Sequence, residues 1–80
     1  MEISKEAISL ISGINELRVY CFFIDKSEDK QSFEVNKVDF FNLDSDCYVT
    51  KTRAVVALKS LVDKGLFKRL KRGYYKILIK

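Results

Sequence analysis

Four cations crowd around one glycine near the end of this 80-residue chain: Lys68, Arg69, Lys71 and Arg72, in the stretch LFKRLKRGYYKI. A hydrophobic core has no use for four cations at one turn, so their natural counterpart is something negatively charged. Bond-making chemistry is harder to assemble from the remaining residues. The chain has no histidine for general-base work. It also lacks a glycine-rich phosphate loop and any Cys/His set at metal-ligand spacing. Asp39, Asp44 and Asp46 suggest a cation loop, but the calcium-loop pattern fails at Cys47 and Tyr48. Turn and capping roles are expected for these carboxylates. The expectation is therefore a binding protein rather than an enzyme, with no cofactor, no metal and no evident small-molecule ligand.

The charge distribution points the same way. Residues 1–50 carry five basic residues against ten acidic ones, a balance of −5, while residues 51–80 carry ten basic residues against Asp63 alone, a balance of +9. Such asymmetry implies a polyanion facing the C-terminal part. The plainer reading is a solvated charged face, and cations on an exposed hairpin edge also prevent sheets from pairing. Nearly half the residues are apolar and ten are aromatic, which argues for one small folded domain over 1–80. There is no apolar run long enough for a membrane span and no secretion signal in MEISKE. A cytoplasmic setting is expected, with Cys21 as a small core residue rather than half of a disulfide.

The elements that must position these charges follow from periodicity. SKEAISLIS places Ile3, Ala7, Leu10 and Ile11 at helical spacing behind a capping Ser4, giving an N-terminal helical extension over 1–12. Gly13 breaks it. NELRVYCFFIDK predicts a helix capped by Asn15, with Leu17, Tyr20, Cys21 and Ile24 on one stripe. Val19, Phe22 and Phe23 lie off that stripe, so this helix must be covered on more than one side, by the first segment or by a second copy of the chain. DKSEDKQS reads as a loop and SFEV as a short strand. NKVDFFNL predicts a helix of about two turns with Val38, Phe41 and Phe40 turned inward, and DSDC predicts a turn. A stronger helix runs over 50–64, with Ala54, Val55, Leu58, Leu61 and Val62 inward and Arg53, Val56 and Ser60 outward. Thr50 caps it, and Gly65 ends it in a left-handed conformation. LFKRL and YYKILIK then form a β-hairpin over 66–79 through KRG. The fold class expected is α+β, mainly helical.

The segment TKTRAVVALKSLVDKGLFKRLKRGYYKI resembles the second half of a winged helix-turn-helix DNA-binding domain. The likeness rests on Thr50 opening the helix, Leu58 and Leu61 on its core face, and the tail L-V-D-K-G-L-F that closes it and starts the wing. NKVDFFNL matches the shorter helix before it and ELRVYCFFI the first core helix. Residues 1–12 lie outside that pattern. The resemblance implies that helix 50–64 enters the major groove of double-stranded DNA. Thr52, Arg53, Val56, Ala57 and Ser60 would then face bases. Arg can bond guanine bidentately, Thr either base type, and Val or Ala the thymine methyl. Thr50, Lys51, Lys59, Lys68, Arg69, Lys71, Arg72 and Tyr74 would reach phosphate. Four wing cations on four phosphates give a log–log salt slope of about −3.6. The alternative for Val56 is packing beneath the hairpin.

The implied function is a small transcriptional regulator. A replication or maintenance factor of a phage, plasmid or virus, or a winged helix used for protein interaction, are the alternatives. Since the wing reaches Lys80, a homodimer is expected to use residues 1–24, with Val19, Phe22 and Phe23 in its interface. Glu2, Glu6, Glu16, Glu28 and Asp29 are expected on the side away from DNA.

Overall fold

The computed structural model describes residues 3–80, and Glu2 lies outside that range. Helix α1 (Lys5–Leu10) starts at Ser4, whose Oγ accepts the Ala7 N–H at 3.2 Å. The Ser4 N–H in turn donates to the Lys80 carbonyl at 3.1 Å, so α1 is fastened to the segment that follows the last strand. Helix α2 (Ile14–Ser27) begins two residues earlier than a cap at Asn15 would place it. Its N-cap is Gly13, at φ 87°, a conformation that glycine adopts without a Cβ clash.

Four apolar residues of α2 (Val19, Tyr20, Phe23 and Ile24) are buried. The helix touches α3, α4 and β1 of its own chain. This corrects the assignment of Val19 and Phe23 to a dimer interface. The helix is apolar nearly all round because one chain encloses it on several sides. Phe22 is half-buried and packs on the same core.

Strand β1 (Ser32–Glu34) leads into α3 (Lys37–Cys47). A capping box starts α3: Asp39 Oδ2 accepts the Asn36 N–H at 2.7 Å, and the Asn36 side chain receives the Asp39 N–H. Asp39 is buried, and its carboxylate also binds the Lys26 ammonium. The capping role expected of Asp39 is thus realised, and it clamps α2 to α3. Two other expectations for α3 fail. Residues 44–47 are helical, and the chain reverses only at Tyr48, in the left-handed region at φ 59°. Val38 and Phe41 face outward, Phe41 at 70 % exposure. The buried residues of α3 are Asp39 and Leu43, four apart on one face, and they displace the stripe inferred from the aromatic positions.

Helix α4 (Lys51–Asp63) follows after Val49 and Thr50, completing a tight helix-turn-helix. Gly65, at φ 82°, releases the chain into β2 (Phe67–Lys71), and the turn at Gly73 returns it as β3 (Tyr74–Ile77). The sheet is antiparallel in the order β1-β3-β2, so β3 is central and β2 is a free edge. In register, Phe33 stands opposite Tyr75 and Phe67 opposite Ile77. Their side chains join α2 in a connected set of rings: Tyr20 on Phe67, Phe23 on Phe33, Phe33 on Phe67 and on Tyr75, at centroid separations of 4.7–5.5 Å. Each such contact contributes about 0.5–1.5 kcal/mol beyond area burial. The Tyr20 hydroxyl donates to the Ile79 carbonyl at 2.7 Å, which satisfies the one polar atom of that ring. Burial, with Cys21 nearby, raises the Tyr20 pKa. The result is an α+β fold with the winged-helix order of elements, an added N-terminal helix and a C-terminal hairpin.

Candidate nucleic-acid interface

The buried positions of α4 are Ala54, Ala57, Leu58 and Leu61, at the i, i+3, i+4, i+7 spacing of one helical face. That face is rotated by about 50° from one centred on Leu58. The rotation sorts the proposed base-reading residues. Ala57 is buried at 3 % exposure, which corrects its assignment: it packs in the core and faces no base. Val55 moves the other way and is exposed. Thr52 and Arg53 are exposed, and Val56 is 65 % exposed, which excludes packing beneath the hairpin. Lys59 is exposed on the same outer side.

At the start of α4, Thr50 occupies the N-cap but makes no side-chain capping bond, so its hydroxyl is available to a ligand. No acidic residue lies in the first turn, leaving the positive end of the helix dipole uncompensated there. Lys51 holds its ammonium 5.7 Å from the centre of the Phe40 ring, an intramolecular contact with a half-buried residue of α3.

The other end of α4 is closed by charge. Ser60 donates to Glu16 Oε2 at 3.1 Å and Lys64 to Glu16 Oε1 at 2.6 Å. The Lys64 ammonium also reaches Ser12 Oγ, and the Ser12 N–H donates to Glu16 at 3.3 Å. Burial pulls the Glu16 pKa upward, but Lys64 and the Ser12 and Ser60 hydrogen bonds outweigh it and hold it below the usual glutamate value. Two expectations change here. Ser60 is committed inside the molecule, and Glu16 does not lie away from the helix but against it. No periodicity argument could find this, because it depends on the crossing of α2 over α4. Between the two helices runs a groove lined by Gly13, Ile14, Asn15, Thr52, Arg53 and Val56.

The wing presents its cations on two faces. Cross-strand partners share a face, and Phe67 and Ile77 are buried. Alternation then puts the pair Lys68–Lys76 and the pair Lys71–Tyr74 outward, and the pair Arg69–Tyr75 on the core side. All four of Lys68, Arg69, Lys71 and Arg72 are exposed. Lys71 lies 4.5 Å over the Tyr74 ring. Glu34 stands opposite Tyr74 on β1, and its negative charge raises the Tyr74 pKa. A phosphate at that hydroxyl would meet the Glu34 carboxylate, so Tyr74 is the weakest of the proposed phosphate donors.

Among the described residues two ion pairs form, Lys26–Asp39 and Lys64–Glu16. Arg53, Lys59, Lys68, Arg69, Lys71, Arg72 and Lys76 have no carboxylate within 4.0 Å there. Both cysteines are free and half-buried, lining a groove between α2 and α3. No helix among the described residues is long and apolar enough to cross a membrane. No family model, curated protein or solved structure matches this chain.

Proposed function

We infer that the chain is a double-stranded DNA-binding protein of the winged helix-turn-helix kind, acting as a small transcriptional regulator. One observation carries the reading: the basic surface of residues 50–76 has cations in excess and, apart from Lys64, no carboxylate partners for them among the described residues. Helix α4 brings Thr52, Arg53 and Val56 to bases in the major groove, and Thr50 and Lys59 approach phosphates. The wing cations grip the backbone. Ala57 has left the base-reading set, and Ser60 acts only through its bond to Glu16.

Selection of bound duplexes from a random pool, followed by mobility shifts across a salt series, tests this. Wild-type protein should retard duplex at low salt and enrich a motif. Arg53→Ala should lose the sequence preference by about 1–3 kcal/mol at one base position, whereas Lys71→Ala should weaken all duplexes alike and reduce the salt slope by about 1. Unchanged duplex mobility at low salt would refute the reading. A second reading, a protein-interaction module, is favoured by Val38, Phe41 and Tyr48, which are large, apolar or aromatic, and exposed on and just after α3. It predicts no retardation of any duplex.

A further inference from the structure

The hairpin ladder is irregular at one place. Arg69 pairs with Tyr75 and Lys71 with Tyr74, so Leu70 is the extra residue of a β-bulge. A bulge leaves its residue out of the ladder and re-aims the side chain. Leu70 is 55 % exposed, an aliphatic side chain on the free edge strand β2. It sits between Arg69, whose pairing puts it on the core-side face, and Lys71, on the outer face. A flat anionic surface would engage one of those faces and leave the other cation unused. A slot with negative walls on both sides engages both at once, and the minor groove of duplex DNA is such a slot, with a phosphate strand on each side and a base floor.

We propose that Leu70 is an intercalating wedge: with the wing in the minor groove, its side chain inserts between adjacent base pairs and bends the duplex. The proposal rests on the DNA-binding reading above and adds deformation to it. The cations on either side hold the two backbones, and unstacking one step costs little more than burying an aliphatic side chain returns. Flexible pyrimidine–purine steps would be the preferred sites, so Leu70 would add a sequence preference without a hydrogen bond.

The test compares wild type with Leu70→Ala, which keeps every charge and changes an exposed residue. A duplex labelled at both ends reports bending by energy transfer, and 2-aminopurine within a bound site reports unstacking. Wild type should bring the ends together and raise the 2-aminopurine fluorescence. Leu70→Ala should bind with the same salt slope and an affinity lower by about tenfold or less, leaving the duplex straight and stacked. A wild-type complex that binds without bending overturns the wedge and leaves DNA binding intact. So does a Leu70→Ala complex as bent as wild type. Complete loss of binding in Leu70→Ala also overturns it, because the grip should belong to the cations. Failure of wild type to bind any duplex at low salt removes both readings.

Discussion

Lys26 and Lys71 are the same residue placed to opposite ends. Lys26 lays its ammonium on the buried Asp39 carboxylate and on the Glu34 carbonyl, so its charge is used to join α2 to α3 and β1. Lys71 rests over the Tyr74 ring with no carboxylate in reach among the described residues. The same division separates the contacts between helices from the wing. In residues 3–50 the two buried or half-buried carboxylates, Asp39 and Glu16, each hold a lysine. In the wing the cations are exposed, and one cross-strand pair, Lys68–Lys76, is even alike in sign. Net charge alone does not mark a binding surface. What marks it is charge that the fold does not consume.

The comparison is broken most severely from the interior side. Phe23 has no exposed surface and packs on Phe22 and Phe33. Phe23→Ala should cost about 3–5 kcal/mol, read as a large drop in the urea midpoint. An unaltered midpoint would mean that α2 is not enclosed by its own chain. Asp39→Ala comes next. It removes one arm of the α3 capping box and leaves the Lys26 ammonium without its partner, for about 1–2 kcal/mol, measured in the same way. If Asp39→Ala proved as harmless as a wing substitution, the contrast between used and unused charge would fail.

The legible part of the fold was the part fixed by local rules. Ser4, Gly65 and Gly73 do what their backbone preferences predict, and the β3 alternation places Tyr75, Ile77 and Ile79 toward the core and Tyr74, Lys76 and Leu78 away from it. The failures come from packing between elements. Val38 and Phe41 are apolar and for that reason expected inward, yet α3 buries Leu43 and Asp39 instead, and the Lys26 ammonium together with the Asn36 N–H makes a buried aspartate tolerable. Ala57 is expected on the flank of the outward face of α4, among the base-reading residues. Its small side chain is buried where α2 packs closely on α4, a crossing that no single-helix projection contains. For the candidate site, Thr52, Arg53 and Val56 were accessible to sequence reasoning, whereas the Glu16–Ser60–Lys64 closure was not.

Glu16 sharpens the comparison through pH. Its folded pKa lies below the unfolded value, so its contribution is present above the unfolded pKa and is lost as pH falls through the folded one. Glu16→Gln should be less stable than wild type by about 1 kcal/mol at neutral pH. The gap should close as pH falls from neutral through the ordinary glutamate value and below it. Urea midpoints across that range report it, and a gap independent of pH would assign the loss to shape rather than charge.

The smallest effect on stability is also the one that best separates a binding surface from a merely soluble edge. Lys68 stands directly opposite Lys76, and like charges in that position repel. Lys68→Gln keeps an unbranched polar side chain, removes the repulsion and should raise stability by about 0.2–0.5 kcal/mol. A fold that tolerates this repulsion is keeping both charges for a reason outside its own stability. If that reason is phosphate, the same variant should bind duplex more weakly, with a salt slope shallower by about 0.9. If it is protection of the free β2 edge, affinity should hold while sedimentation shows association at high concentration, because an edge lysine blocks strand pairing. Higher stability joined to weaker binding and an unchanged sedimentation coefficient would place Lys68 among the DNA contacts; the reverse pair of results would take it out.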